Sequence, residues 1–284
     1  IDRVEKILDG SLEIIEDVGA TLSDRLYLKD EIDLIFSKDL GVNVLGFNCQ
    51  KEPFSDVRVR KAIAMAFNKE KFVHTMLRGK GLVADGPLPL AFIGFYSDIG
   101  RMKFDPDAAK DLLAWAGYPE GLRVDLWRYD ESERAGVLPL AIQKDLERIE
   151  VKVNIKYIDD WDTYNSGVMS GEASLFIDGW RGDPVDPDGF LYPFFHSRGR
   201  GEEGNLFHYS NKRLDRLLEE ARRTMDEEMR KKLYDEAQRI IVADLPCLFI
   251  SFGNEVFALR NSIKGFSVNP LGIVRLDQVE YVPF

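Results

Sequence analysis

A chain of 284 residues, 45% hydrophobic and 31% charged, is long enough to bury a sizeable core in one or two domains. Its net charge of −11 and the lack of any Lys/Arg cluster argue against a nucleic-acid partner, and no apolar run approaches the ~20 residues of a membrane span. Two cysteines without a CxxC spacing and three histidines without an HExxH spacing give no support to a metal site, so no metal and no cofactor are expected. The opening IDRVEKILDG is domain-like rather than a signal peptide.

In chain order, Val4, Ile7 and Leu8 share a helical face, and residues 12–18 are ambiguous between strand and helix. Residues 42–48 alternate and then stay apolar, which predicts a strand. Ser55 or Asp56 can cap a helix whose inner face carries Val59, Ile63, Ala66 and Phe67. Arg58, Arg60 and Lys61 then read as its solvated basic face. Asn68 restarts a second helix, with Phe72, Val73, Met76 and Leu77 apolar and Gly79 as its stop.

The clearest helix follows Asp105. That residue is an N-cap, Pro106 occupies the first helical position where its missing N–H costs nothing, and Gly117 is the stop. Residues 122–127 predict a strand, Leu138, Ala141, Ile142, Leu146 and Ile149 a helix, and Val151, Val153, Ile155 and Tyr157 the next strand. Strand, helix, strand at this spacing is a βαβ unit and demands a parallel pair. Later, Leu214, Leu217, Leu218 and Ala221 share one helical face, a longer helix is expected over 227–243, Asp244-Leu245-Pro246 breaks it, and 247–252 is an apolar strand. Asn254-Glu255 reads as a turn, with further short strands over 256–259 and 263–268.

The most informative stretch is LFIDGWRGDPVDPDGFLYPFF, residues 175–195. Its apolar start predicts a buried strand ending at Gly179. A loop then carries Trp180, Arg181, Gly182, Asp183, Asp186 and Pro187. In open α/β sheets, ligands collect on the loops that follow the carboxyl ends of strands. An aromatic plane, a cation and several carboxylates suit a small polar ligand. The bland alternative is a surface loop whose Asp residues cap backbone amides while Trp180 packs on the core. Asp183 and Asp186 as an acid/base pair of a hydrolase, or as calcium ligands with Asp188, have no second acidic loop or DxDxDG spacing behind them.

The pattern G-W-x-G-D-x-x-D-P-D-x-F at Gly179–Phe190 resembles the central motif of the family 5 extracellular solute-binding proteins. These are the peptide-, nickel- and oligosaccharide-binding subunits of ABC importers. Three other blocks resemble the same family. They are Gly46-Phe47-Asn48 with Pro53-Phe54-x-Asp56-x-Arg58-Val59-Arg60-x-Ala62, D-P-x-x-A-x-x-L-L-x-x-A-G-Y-P-x-G from Asp105, and Asn205-x-x-x-Tyr209-x-Asn211-x-x-Leu214-Asp215.

The resemblance covers the later part of such a protein. It implies an α/β fold of the periplasmic-binding-protein type II kind, a mixed sheet flanked by helices. Residues 1–46 are expected to be part of a first lobe, 47–252 a complete C-terminal lobe, and 253–284 the return to the first. Hinge crossings are expected at Gly46, Phe47 and Asn48 and at Phe252 and Gly253. Gly179, Trp180, Arg181, Gly182 and Asp183 are expected to line the ligand, with Asp183 on an α-ammonium group. Arg181 departs from the small or polar residue expected in dipeptide binders. Asp186 and Pro187 are expected to fix the loop. The implied role is that of a non-enzymatic, monomeric subunit, periplasmic or extracellular, with a lipid anchor on a missing N-terminal segment. It would capture a di- or oligopeptide, or else an oligosaccharide or nickel chelate, for the importer's membrane subunits. A ligand-sensing regulatory module on the same fold, or a carboxylate-based hydrolase, are the alternatives.

Overall fold

The computed structural model describes residues 2–16, 18, 20–77, 81–89, 92, 99–129, 137–181, 186–200, 204–269 and 273–282. Two long strands organise it. β2 (Ile32–Phe47) and β7 (Cys247–Arg260) pair antiparallel from Ile32–Arg260 to Gly46–Cys247. On one side of them lies β1 (Ile14–Ile15), paired with β7, and β3 (Gly81–Val83) also pairs with β7. On the other side β6 (Leu175–Arg181) runs antiparallel to β2, followed by β4 (Leu122–Tyr129) and β5 (Val151–Ile158). The sheet order is β1-β7-β2-β6-β4-β5, mixed, as an α/β protein with one returning strand requires.

The βαβ unit forms where alternation placed it. β4 and β5 pair in parallel from Leu122–Val151 to Tyr129–Ile158, and α6 (Val137–Leu146) lies between them in sequence. Strand periodicity splits the core. Val44, Trp127, Phe176 and Phe249 belong to a cluster on one face, covered by α7 (Trp161–Met169), α8 (Asp188–Phe195) and α9 (Lys212–Arg223). Leu45, Leu126, Leu175, Ile177 and Ile250 belong to a second cluster, which includes residues of α3 (Val57–Ala66), α4 (Lys69–Met76) and α5 (Pro106–Trp115).

Helix ends follow local chemistry. Asp56 accepts the Arg58 N–H at 2.8 Å, Asn68 that of Lys71 at 2.8 Å, and Asp105 that of Ala108 at 3.0 Å. α10 (Glu227–Asp244) ends at Leu245, whose φ of 51° reverses the chain before Pro246.

Beyond the main body, β1 and the far halves of β2 and β7 form a three-stranded arm. Ile32, Val256 and Ala258 face α1 (Asp2–Leu8) and α2 (Ala20–Tyr27) through Val4, Ile7 and Leu26. Phe257, Leu259 and Ile263 face the other way. The β2–β7 register shifts between Lys38 and Val42, and again between Asn43 and Val44.

Three expectations are corrected. β6 does not stop at Gly179: it continues through Trp180 to Arg181, because β2 supplies partners as far as Gly41. Asn254 and Glu255 are not a turn but lie inside β7, paired with Lys38 and Ser37. Arg60 is not on a solvated face. It is buried at 5% exposure, and its guanidinium donates to the carbonyls of Phe54, Ser55, Asp244 and Leu245. A sheet neighbour and a four-carbonyl pocket are tertiary facts that local pattern does not carry.

Candidate functional site

The carboxyl ends of β4, β5 and β6 lie together, since the three strands run the same way. At the end of β6, Gly179 pairs with Asn43, Trp180 with Val42 and Arg181 with Gly41. Gly179 has room for no side chain: a Cβ there would sit 2.9 Å from the Val42 carbonyl oxygen. Gly182 and Asp183 lie outside the described residues.

Trp180 is half-buried. Its ring stacks on Phe194 at 4.3 Å, and Phe190, Phe195 and Phe207 lie within about 6 Å centroid to centroid. Its indole Nε1 is buried without a hydrogen-bond partner. One edge of the indole is therefore committed to the core, while the polar atom has no acceptor among the described residues.

The chain re-enters the described region at Asp186 and Pro187, and the helix α8 starts at once. Asp186 accepts the Asp188 N–H at 2.8 Å, and its two oxygens accept from Nη2 and Nη1 of Arg230 at 2.8 and 2.9 Å. Arg230 holds the Asp186 carboxyl below the usual carboxylate range. Pro187 is buried. Asp188 lies 3.3 Å from Arg222, yet burial pushes its carboxyl upward.

Residues that the motif did not single out complete this edge. Tyr129 ends β4, and Trp161 and Tyr164 begin α7; the three rings are mutually within 5.1–6.1 Å. Tyr164 donates to the Ile177 carbonyl at 2.8 Å. Asp178 sits on the same sheet face as Phe176 and Trp180. Burial pushes its carboxyl up to about 6, against the opposing pull of the Gly179 N–H and Arg128. An aromatic wall beside a low-dielectric carboxylate favours cationic groups. The available signal was topological: each of these residues stands at, or just after, the carboxyl end of a parallel strand.

Of the expected hinge residues, Gly46, Phe47, Phe252 and Gly253 lie inside the sheet, and Asn48 directly follows β2. Gly46 and Phe47 pair with Phe176 and Leu175, Asn48 donates to Gly171 O at 3.2 Å, and Phe252 and Gly253 pair with Leu82 and Gly81. The irregular register lies at 38–44 in β2, N-terminal to Gly46. Cys49 is half-buried and Cys247 buried, and burial pushes both thiols up. Among the described residues no group of His, Cys, Asp and Glu is placed to hold a metal ion, and no helix is long and apolar enough to cross a membrane.

The sequence is 31% identical to heme-binding protein A of Haemophilus influenzae over 275 residues, covering 95% of this chain and 50% of that protein. It is 31% identical to the dipeptide-binding protein of Escherichia coli over 261 residues, covering 90% of this chain and 48% of that one. The fold superposes with a TM-score of 0.86 on the crystal structure of a dipeptide-binding protein from Pseudoalteromonas sp. SM9913 in complex with Met-Leu, at 28% identity, covering 99% of this chain and 56% of that one. The chain thus spans about half the length of the curated relatives it matches. The sequence profile described as bacterial extracellular solute-binding proteins, family 5 Middle, matches residues 2–202. On that match, and on the shared fold, the chain belongs to family 5 of the bacterial extracellular solute-binding proteins.

Proposed function

We propose that this chain supplies one complete lobe and part of another of a solute-capturing subunit of an ABC importer, and that the solute is peptide-like. One observation carries the reading. The strand that leads into the motif, β6, ends at Arg181, whose partner Gly41 lies within the stretch where β2 and β7 lose register. A ligand loop rooted beside a paired-strand crossing is what hinge closure over a solute needs. In this reading the crossing at 38–44 of β2 and 252–254 of β7 is the flexing region, and Gly46 and Phe47 move with the larger body.

Asp183 is assigned to the ligand's α-ammonium group. A charge-assisted N–H···O bond in a closed cleft contributes roughly 1.5–3 kcal/mol. Gly179, Trp180, Arg181 and Gly182 are assigned to the same ligand, the glycines to its backbone, Trp180 through its indole and Arg181 to a carboxylate. The relatives named for dipeptides and the structure bound to Met-Leu support a peptide over an oligosaccharide or nickel chelate. The protein works outside the cytoplasmic membrane, as a monomer held there by a lipid anchor, and performs no catalysis.

The test is a thermal-shift screen of the full-length protein against di- and oligopeptides, oligosaccharides and nickel–histidine, since a ligand of the native state raises stability by mass action. Stabilisation by dipeptides that disappears in Asp183→Ala is the expected result. A folded protein that responds to none of these classes would overturn the reading.

A further inference from the structure

The amino ends of β4 and β5 form a concavity at the other end of the sheet from the solute loop. On the face that α7 covers further along, Arg123, Asp125 and Trp127 stand beside Lys152, Asn154 and Lys156. Their register is Arg123–Lys152, Asp125–Asn154 and Trp127–Lys156. The helix reaches only as far as Trp127, against whose ring Gly167 is packed. What remains is a bay of about 580 Å³ with these strand residues as its floor. Lys51, Glu52 and Pro53, together with Glu172 and Ser174, complete its wall.

Most charges here are accounted for. Asp125 accepts from Asn154 at 2.8 Å and pairs with Lys156 at 2.7 Å. Lys51 donates to the carbonyls of Gly171 and Glu172 at 3.3 and 2.7 Å, and Glu52 accepts from the Ser55 hydroxyl at 2.5 Å. Glu147 and Glu150 flank Lys152 outside the bay, and Glu150 is 3.4 Å from Lys110. Arg123 and Lys152 have no carboxylate within ion-pair distance among the described residues, and both are exposed.

Like charges directly opposite each other on neighbouring strands destabilise a sheet. This chain carries 49 acidic residues against 38 basic ones, so a carboxylate partner would be easy to supply. An unrelieved cation pair on the floor of a concave site is the arrangement that an anion relieves. Arg123 adds a planar fork matched to phosphate or carboxylate oxygens.

We propose that Arg123 and Lys152, with the Lys51 ammonium at the rim, form a binding site for a small, doubly charged oxyanion. The site is separate from the solute cleft, because six residues of extended strand from Arg123 to Tyr129 put roughly 20 Å between them. Its ligand class is a phosphate group or a dicarboxylate.

The experiment titrates the full-length protein with inorganic phosphate and with malonate, by calorimetry and thermal shift, using sodium chloride at matched ionic strength as reference. The expected result is saturable binding of at least one probe. Affinity falls about tenfold or more in Arg123→Gln/Lys152→Gln, as the loss of charge-assisted bonds implies. Amide shifts confined to residues 123–127 and 152–156 would locate the site. Without a probe, the double variant melts at or above the wild-type temperature. Equal responses in both proteins, or a chloride effect of the same size (an adventitious ion only), would overturn the proposal. So would a double variant that melts lower with no probe present, since the cations would then be structural.

Discussion

Arg230 grips Asp186 with both terminal nitrogens, at 2.8 and 2.9 Å, across 44 residues of sequence. The same guanidinium donates to the Ala221 carbonyl at 3.2 Å and the Tyr234 hydroxyl at 3.0 Å. The loop that precedes α8 is thereby tied to the start of α10 and the end of α9. Asp186, at the start of the motif's D-P-D, is an anchor for the amino end of α8.

This pair predicts a pH-dependent stability. Arg230 depresses the Asp186 carboxyl, so its contribution is present above the unfolded value and is lost as pH falls through the folded one. Asp186 is 43% exposed, and solvent screening discounts the pair to about 1 kcal/mol. Asp186→Asn is expected to lose that amount at pH 7 in urea melts. The difference from wild type should shrink once the pH drops below about 4. A gap that persists unchanged at pH 2.5 would exclude the ion pair as its source.

Asp178 works with the opposite sign. Burial raises its carboxyl to about 6, so the native state binds a proton that the unfolded chain has already released. Stability from this group is complete below about pH 4 and declines as pH rises to about 6. Asp178→Asn is expected to flatten the stability profile between those values and to gain up to about 3 kcal/mol at pH 7. Parallel pH profiles for the two proteins would show that Asp178 titrates normally.

Arg60 is the severest single site predicted. Arg60→Met would strand the carbonyls of Phe54, Ser55, Asp244 and Leu245, at a cost of about 3 kcal/mol or more. Arg60→Lys should recover only part, because an ammonium on a flexible stem cannot span four acceptors as a planar fork does. Denaturant melts of the three proteins give the ranking, and a Met variant within 1 kcal/mol of wild type would refute it.

At Gly46 the constraint is space. A Cβ would lie 2.4 Å from Cε2 of Phe176, in the core between β2 and β6. Gly46→Ala is expected to cost about 1–3 kcal/mol, the usual penalty of overpacking. Adding Phe176→Leu should restore part of it. If Gly46→Ala instead leaves the melting temperature unchanged and alters solute affinity, Gly46 belongs to the hinge after all.

How much of this was readable in advance depends on how local the determinant is. The helix at Asp105 was legible because its cap, its proline and its Gly117 stop all act within a few residues. The β4–α6–β5 unit was legible because apolar periodicity changes from two to three or four and back. Arg60 was misread because helical periodicity cannot see that Asp244 and Leu245 return beside it. The ends of β6 and β7 were misread for a related reason. Gly179 and Asn254 carry turn chemistry, yet each is held extended by a partner on β2. For the site, the motif brought Trp180 and Asp186 to notice, whereas Tyr129, Trp161 and Asp178 become neighbours only through the sheet.

The larger body begins and ends almost at one point: the Phe47 N–H donates to the Pro246 carbonyl at 3.1 Å. Some two hundred intervening residues therefore form a closed excursion from a two-stranded stem. Such a unit can be cut at an exposed turn and rejoined across the stem by a short linker with little strain. A circular permutant of residues 42–252, which keeps the core residues of both strands and is rejoined across the Val42–Phe252 pair, should retain the parent's core, and that would make this part of the chain transplantable.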